Sequence, residues 1–300
     1  MFECNTSRPL SSVLEGIIVA AFGRHYEVEL PDLVRITGFP RGKKSPYACG
    51  DRVALERSSP DQAQIVRHLP RSSLLYRSDV YRQKLIVANA TQLVLVVATE
   101  PSFSDELLTR ALVAAETEGL RSIVVLNKID LGEHLPAARR RLAPLAHLGY
   151  AVIELSARHD ARLLLPYLAG ELSVLVGQSG MGKSTLSNAL VPDAAAATRE
   201  VSESLDSGKH TTTHARLYQL GDPSGALIDS PGLQEFGLAH LTRGAIEQGF
   251  VEFRPHLANC RFRDCSHRSE PGCAIKAAVA TGEIDGRRYA MFLRLGSGAF

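Results

Sequence analysis

The sequence predicts an α/β protein in which a doubly wound, mainly parallel sheet is flanked by an N-terminal β-barrel and a small helical C-terminal domain. Three patterns predict this fold class: short strands before about residue 75, apolar strands alternating with helical periods over about 76–240, and a cysteine cluster after 241. We therefore expect domains over 1–75, 76–240 and 241–300. The 300 residues are 45% hydrophobic, which excludes a largely disordered chain.

The first region predicts about five short strands separated by Gly, Pro and basic loop residues. The strands are expected over 16–21, 25–30, 33–36, 51–55 and 64–66. About five strands fit an RNA-binding barrel like the oligonucleotide-binding (OB) fold, although an SH3-like barrel would show a similar pattern.

The central region predicts a parallel sheet covered by helices. Strands are expected over 92–98, 122–126, 151–155, 173–176 and 226–228, with helices over 104–118 and 135–147. Ligands of such sheets bind at the carboxyl ends of the strands. The residues that directly follow the strands are therefore the candidate site.

Charge is distributed unevenly along the chain. Lys and Arg exceed Asp and Glu by three in residues 1–77 and in 251–300, whereas residues 78–250 carry a charge of −4. Basic ends favour contact with a polyanion such as RNA, with ordinary charge scatter as the alternative. No apolar stretch approaches the roughly 18 residues of a membrane span, and no secretory signal is visible. We expect a cytoplasmic protein without a membrane partner.

The strand 173–176 leads into a complete G-x-x-x-x-G-K-S motif that is followed by a helical stretch. Backbone N–H groups of such a loop point at phosphate oxygens, and the helix N-terminus adds partial positive charge. Lys183 is expected to reach the β- and γ-phosphates, and the Ser184 hydroxyl to bind Mg²⁺. The predicted nucleotide contacts of this loop are Gly177, Gln178, Ser179, Gly180, Met181, Gly182, Lys183, Ser184 and Thr185.

Two further loops predict guanine as the base. The N-K-x-D motif of Asn127, Lys128 and Asp130 follows a strand. The Asp130 carboxylate can accept hydrogen bonds from both guanine N1 and N2, for which adenine offers no counterpart. Asn127 is expected to brace the loop and contact the base, and the Lys128 stem to pack over the ring. The backbone N–H groups of Ser156 and Ala157 are expected to read guanine O6. GTP and GDP are the predicted ligands.

Residues after the phosphate loop predict the rest of a GTPase site. Asp229 ends a strand and is expected to hold Mg²⁺ directly or through water, while the Gly232 N–H bonds the γ-phosphate. One threonine of 211–213 is expected to close over Mg²⁺ while that phosphate is present. The predicted nucleotide contacts here are Thr211, Thr212, Asp229 and Gly232, and the predicted magnesium ligands are Ser184, Thr211 and Asp229. Because the base motifs precede the phosphate loop, the order is circularly permuted.

Three cysteines and a histidine lie within fourteen residues: Cys260, Cys265, His267 and Cys273. This set suits one tetrahedral Zn²⁺, and four protein ligands leave no open position, so the site is predicted to be structural. Unligated thiols are the alternative. A redox pair is disfavoured because no C-x-x-C is present.

With these motifs, the chain resembles the bacterial ribosome small subunit-dependent GTPase A family from about Gly16 to Leu295. The most specific pieces are the permuted order, GKHTTT at 208–213, DSPGLQEFGL at 229–238 and CRFRDCSH at 260–267. The resemblance implies a GTP hydrolase that binds the small ribosomal subunit and its rRNA late in maturation. Ribosome-stimulated hydrolysis would drive its release. We expect a monomer.

The position that orients the attacking water in many GTPases is Leu233 here, with Gln234 one residue later. We therefore expect slow intrinsic turnover. His210 is the best substitute, and the resemblance implies a switch histidine that acts when the ribosome docks. The predicted catalytic residues are His210, Lys183 and Asp229, with Gln234 as the alternative for positioning water.

Two other functions are compatible with these motifs. One is a permuted GTPase acting on the large subunit or another RNA, and the other is an RNA-binding module with GTP as a structural ligand. The candidate rRNA contacts are Arg41, Lys43, Lys44, Arg261, Arg263 and Arg268.

Overall fold

One continuous sheet runs from the N-terminal barrel to the far edge of the α/β region. The computed structural model describes residues 14–42, 46–78, 83–191, 215–221, 224–230, 238 and 240–295. Within these residues the sheet has eleven strands in the order β10-β9-β8-β11-β13-β12-β1-β2-β3-β5-β4. The strands are β1 Leu14–Ala21, β2 Tyr26–Glu29, β3 Arg35–Pro40, β4 Arg52–Ser59, β5 Gln62–His68, β8 Gln92–Ala98, β9 Arg121–Asn127, β10 Ala151–Glu154, β11 Leu172–Val176, β12 Arg216–Leu220 and β13 Gly225–Asp229.

The barrel closes because β1 pairs with β4 as well as with β2. Its five strands enclose a core of their own that includes Ile18, Tyr26, Leu55 and Ile65. The OB-like barrel is therefore confirmed. The third strand begins later than expected, because Leu33 has a positive φ of 64° and is 70% exposed in a turn.

The parallel part of the sheet consists of β10, β9, β8, β11 and β13, which all run in the same direction. All seven residues of β8 are buried, as expected for a strand covered on both faces. This confirms the mainly parallel sheet. Strand β12, which the sequence analysis did not identify, is antiparallel to β13 and joins it to the barrel through a pairing of Ala20 with Arg216.

A hairpin of β6 (Leu74–Ser78) and β7 (Gln83–Ala88) connects the barrel to the α/β region. It also lies outside the strands that the sequence predicted. The hairpin crosses the expected boundary between residues 75 and 76, and the three domain bounds stay a prediction. The Leu74 N–H donates to Glu118 Oε2 at 3.1 Å, which ties the hairpin to the adjacent helix.

The helices agree with the predicted pattern. They are α1 Asp105–Thr117, α2 Leu135–His147, α3 Leu165–Leu168, α4 Lys183–Leu190, α5 Arg243–Gly249, α6 Arg254–Leu257, α7 Ala274–Thr281 and α8 Gly286–Leu295, with 3₁₀ turns at Gly132–His134, Ala161–Leu164 and Val251–Phe253. The Ser104 hydroxyl caps α1 by accepting the Leu107 N–H, and two acidic residues follow in the first turn. No helix in the described part of the chain is long and apolar enough to cross a membrane.

The C-terminal helices pack on α1 and contain an aromatic core. The rings of Phe250, Phe253 and Phe292 lie 5.0–5.5 Å apart. Beside them Arg288 Nε donates to Glu252 Oε1 at 2.7 Å in a buried ion pair. This packing places the cysteine cluster against the α/β region.

Candidate functional site

The carboxyl ends of β9, β10, β11 and β13 surround an open cavity of about 480 Å³. Twelve of the predicted site residues line it: Asn127, Lys128, Asp130, Ser156, Ala157, Ser179, Gly180, Gly182, Lys183, Ser184, Thr185 and Asp229. Leu131 and Arg158 also line the cavity and were not predicted, although each directly follows a predicted motif. Loops that are far apart in the sequence thus meet in one place.

The side chain of Asn127 joins three of these loops. Its Nδ2 donates to the Met181 carbonyl at 2.8 Å, and its Oδ1 accepts the N–H groups of Lys128 and Ala157, each at 2.8 Å. Asn127 is 1% exposed. Its polar atoms are therefore used within the protein, and the Ala157 N–H expected to read guanine O6 is engaged with Asn127 in this structure.

Lys128 and Asp130 have different roles in the loop. Lys128 adopts a left-handed φ of 62°, and its Nζ donates to the Glu100 carbonyl at 2.8 Å. The Asp130 side chain is exposed in the cavity. A hydrogen bond from Ser156 lowers the pKa of Asp130 below its usual value, so its carboxylate is ionised at neutral pH and ready to accept.

The phosphate loop has the tight turns that its glycines predict. Gly182 has a φ of 91°, and a Cβ there would lie 2.3 Å from Asn127 Nδ2. At Gly177 a Cβ would lie 2.2 Å from the Val96 carbonyl oxygen. Both positions exclude a side chain. The phosphate loop therefore stays close to β8 and to the loop of residues 127–130, the base-recognition loop.

The Lys183 ammonium lies inside the loop. Its Nζ donates to the Gly177 carbonyl at 2.6 Å and to the Gln178 carbonyl at 2.9 Å. Burial lowers the pKa of Lys183, and the charge of Asp229 opposes that shift. The cation is therefore held at the place where the sequence predicts phosphate.

Among the described residues, three predicted phosphate-loop contacts do not line the cavity: Gly177, Gln178 and Met181. Gln178 Oε1 accepts the Ser104 N–H at 2.6 Å, which connects the loop to the start of α1. The Met181 side chain is buried, and its carbonyl accepts the Asn127 bond. The side chains of Gln178 and Met181 therefore position the loop and do not face the cavity.

Oxygen donors for a magnesium ion lie in the same cavity. The exposed Ser184 is the second residue of α4, and Asp229 ends β13. Asp229 Oδ2 accepts from Ser187 Oγ at 3.1 Å. Burial raises the pKa of Asp229, while the Ser187 bond and Lys183 counteract this. A carboxylate and a hydroxyl are hard ligands that suit Mg²⁺. Sequence reasoning missed Ser187, whose position one helical turn after Ser184 was the available signal.

The predictions for His210, Thr211, Thr212 and Gly232 lie outside the described residues. The same is true of Thr213, Leu233 and Gln234, and of Lys43 and Lys44 in the barrel. These assignments stay predictions.

The Cys₃His set is brought together near α7. The ligand atoms of Cys260, Cys265, His267 and Cys273 lie within 4.8 Å of one another. His267 Nδ1 is 3.6 Å from Cys260 Sγ and 3.4 Å from Cys273 Sγ. The Ala274 N–H points at Cys260 Sγ, as expected around thiolates. Three sulfurs and one ring nitrogen at this spacing fit Zn²⁺.

Surrounding groups orient the histidine. Its Nε2 lies 3.6 Å from Glu247 Oε1, and its carbonyl accepts from the Tyr289 hydroxyl at 2.5 Å. Burial lowers the pKa of His267, which favours the neutral imidazole that binds metal.

The basic candidates differ in how they are used. Arg41 forms an ion pair with Glu56 at 2.7 Å, and Arg268 donates to the Leu293 carbonyl at 2.8 Å. The exposed Arg261 lies over the ring of Phe262, which is 41% exposed, and Arg263 is exposed next to it. All four described candidates are exposed, and Arg261 and Arg263 lie on either side of Phe262 in the sequence.

Comparisons with known proteins show which proteins this chain is similar to. A family profile described as RsgA GTPase matches residues 68–239. Curated proteins named small ribosomal subunit biogenesis GTPase RsgA are 58% identical over 286 residues in Burkholderia pseudomallei strain 668 (94% of this chain, 91% of that protein) and 54% identical over 288 residues in Bordetella pertussis strain Tohama I (95% and 96%).

Two solved structures are similar over nearly the whole chain. The crystal structure of YjeQ from Thermotoga maritima has a TM-score of 0.74 and 30% identity, covering 94% of this chain and 97% of that one. YloQ, described as a circularly permuted GTPase, has a TM-score of 0.71 and 25% identity, covering 96% of both chains.

Proposed function

Because the chain belongs to the RsgA GTPase family, we propose that it binds the small ribosomal subunit and its rRNA late in maturation. The chain is a GTP-hydrolysing enzyme with the permuted motif order. Hydrolysis stimulated by the subunit drives its release. The names of its curated relatives support this partner. It acts as a monomer in the cytoplasm, where bacterial subunits mature.

One observation carries the proposal: Asn127 hydrogen-bonds both the base-recognition loop and the phosphate loop, which line one cavity. A cavity with a base acceptor at one end and a phosphate-binding lysine at the other suits a guanine nucleotide. The buried Asn127 amide therefore holds the two loops next to each other.

Each residue then has a defined task. Asp130 accepts hydrogen bonds from guanine, and Lys183 exchanges its carbonyl partners for phosphate oxygens. Ser184, Asp229 and Thr211 would hold Mg²⁺, which when bound neutralises charge between the β- and γ-phosphates. The N–H of Gly232 bonds the γ-phosphate, and Thr212 closes the loop over the nucleotide.

His210 is the proposed group that orients the attacking water, and the subunit brings it into position. His210→Ala should leave unstimulated turnover near its low starting value and abolish most of the stimulation. Gln234→Ala is the matched comparison. If Gln234→Ala loses the stimulation and His210→Ala keeps it, the roles are reversed.

The zinc cluster supports the RNA-binding role of the C-terminal domain. Cys260, Cys265, His267 and Cys273 would hold one structural Zn²⁺, which stabilises the segment carrying Arg261, Phe262 and Arg263. Cations beside an exposed aromatic ring suit contact with RNA backbone and an unstacked base. The barrel supplies the second basic surface.

Phosphate release by the full chain tests the proposal. We expect slow turnover alone, strong stimulation by purified small subunits and little by large subunits, with ATP as the control nucleotide. Stimulation by large subunits alone would favour a large-subunit GTPase. Stimulation by neither subunit would favour an RNA-binding module in which GTP is structural.

A further inference from the structure

A row of paired residues crosses the sheet from the barrel to Asp229. Glu27 of β2 is opposite Ala20 of β1, Ala20 is opposite Arg216 of β12, and Arg216 is opposite Asp229 of β13. Residues directly opposite one another on neighbouring strands project from the same face of a sheet. In this row Arg216 therefore lies between Glu27 of the barrel and Asp229 of the candidate magnesium site.

The guanidinium is bound on the barrel side of this row. Arg216 Nη2 lies 2.5 Å from Glu27 Oε2, reaching across Ala20, whose small side chain leaves room. The other oxygen of Glu27 accepts from Arg35 at 3.0 Å. The side chains of Arg216 and Glu27 are only 29% and 21% exposed, so water screens their attraction less than at an open surface.

Asp229 has other partners in this arrangement. It accepts the Ser187 hydroxyl at 3.1 Å and faces the charge of Lys183. Opposed side chains have Cβ atoms about 5 Å apart, so an extended arginine at position 216 can reach a carboxylate at 229. The direction in which Arg216 points decides whether Asp229 carries an arginine partner.

We propose that Glu27 and Arg216 are positioning residues for the metal: Glu27 holds the guanidinium away from Asp229 and so keeps that carboxylate available to Mg²⁺. This inference rests on the proposed role of Asp229 in nucleotide hydrolysis. Without the Glu27 carboxylate, Arg216 turns to Asp229 and competes with the cation. The magnesium site is thereby sensitive to the position of the barrel, although no described barrel residue lines the cavity.

Release of N-methylanthraniloyl-GDP from the full chain, measured over a series of Mg²⁺ concentrations, tests the proposal without relying on turnover. Glu27→Ala should raise the Mg²⁺ concentration for half-maximal retention about tenfold. Glu27→Gln should raise it less, because the amide oxygen still accepts from Arg216. The double variant Glu27→Ala with Arg216→Ala should return to the wild-type value.

Glu29→Ala is the matched control, because Glu29 accepts from Arg35 and Gln219 and lies two residues along the same strand. It should leave the Mg²⁺ dependence unchanged. Circular dichroism melting of each variant reports whether the fold is retained, and Glu27→Gln provides a milder change if Glu27→Ala melts early.

The outcomes separate this inference from the proposed function. A wild type that retains the nucleotide with Mg²⁺ and a Glu27→Ala variant that behaves identically would overturn the inference alone. The same holds if the double variant stays as impaired as Glu27→Ala. A wild type whose nucleotide retention does not respond to Mg²⁺ would overturn the role of Asp229 and the inference together.

Discussion

The buried side chain of Asn127 connects three loops of the nucleotide site. It donates to the Met181 carbonyl and accepts the N–H groups of Lys128 and Ala157. The amide offers both a donor and an acceptor here, whereas an ionised carboxylate could not donate to a carbonyl. Asparagine at this position therefore has a structural role in holding the loops together, apart from any contact with the base.

Asp130→Asn should change the preferred base from guanine to xanthine. The proposed role of the ionised carboxylate is to accept from two guanine N–H groups, whereas an amide offers one donor and one acceptor, which match the carbonyl and N–H of xanthine. We expect affinity for GTP to fall at least about a hundredfold and xanthosine triphosphate to bind instead. Calorimetry with both nucleotides measures this.

Asp160→Asn is the control for that exchange, since Asp160 is an exposed acid a few residues beyond Ser156. It should keep the wild-type preference for GTP. An Asp130→Asn variant that still prefers GTP would show that this carboxylate does not contact the base.

Gly182→Ala should weaken nucleotide binding at least about tenfold. The new methyl would lie 2.3 Å from Asn127 Nδ2 on a backbone with a φ of 91°. Strain and loss of the Asn127–Met181 hydrogen bond together cost about 2–3 kcal/mol. Gly132→Ala is the control, because Gly132 has open space around it and should bind GDP normally. If the two variants bind GDP with equal affinity in a fluorescence titration, Asn127 does not brace the phosphate loop as described.

At the scale of an element, the cysteine cluster holds together a short segment between α6 and α7. Residues 258–273 contain turns and bends without a regular helix or strand. The contacts of Cys260, Cys265, His267 and Cys273 with one another therefore organise this stretch. Metal binding would contribute directly to its folding free energy.

Cys260→Ser should lose the metal and much of the helical signal from α7 and α8. Elemental analysis should find about one zinc per chain in the wild type and a small fraction of that in the variant. Cys49→Ser is the control, because Cys49 is buried near Val19 and lies far from the cluster in the sequence. Full zinc content in Cys260→Ser would exclude this residue as a ligand.

At the scale of the whole molecule, one basic region precedes the central sheet region in the sequence and the other follows it. The strand pairing of β1 with β12 joins the barrel to this sheet, and α1 packs against the C-terminal helices. A partner that contacts both ends would therefore act on one connected molecule.

Replacing both Arg261 and Arg263 with Gln should weaken binding to small subunits by about tenfold or more and leave unstimulated turnover unchanged. Two exposed cations beside Phe262 are lost, and each phosphate contact contributes to affinity. Sedimentation at several salt concentrations should also show a shallower salt dependence. The matched control replaces the exposed Arg139 and Arg140 of α2. A larger loss in the control would place the RNA surface on α2.

The sequence predicted best those elements whose pattern of apolar residues is complete within one segment of the chain. Helix α2 has the predicted bounds, and β8 agrees at both ends, since both carry a complete periodic pattern within one segment. Strand β12 and the hairpin of β6 and β7 were missed. The pairing of β12 with β1 connects distant parts of the chain and leaves little trace in its five residues.

The sequence by itself determined the residue types of the site: a complete phosphate-loop motif, the carboxylate of an N-K-x-D motif and a Cys₃His set. These depend on residue type and short spacing, which determine donors, acceptors and metal preference. Only the tertiary structure decided which partners three side chains have. Asn127 braces three loops, Gln178 accepts the Ser104 N–H at the start of α1, and Arg216 is bound to Glu27 of the barrel. Those contacts arise from long-range strand pairing and packing, which no local pattern encodes.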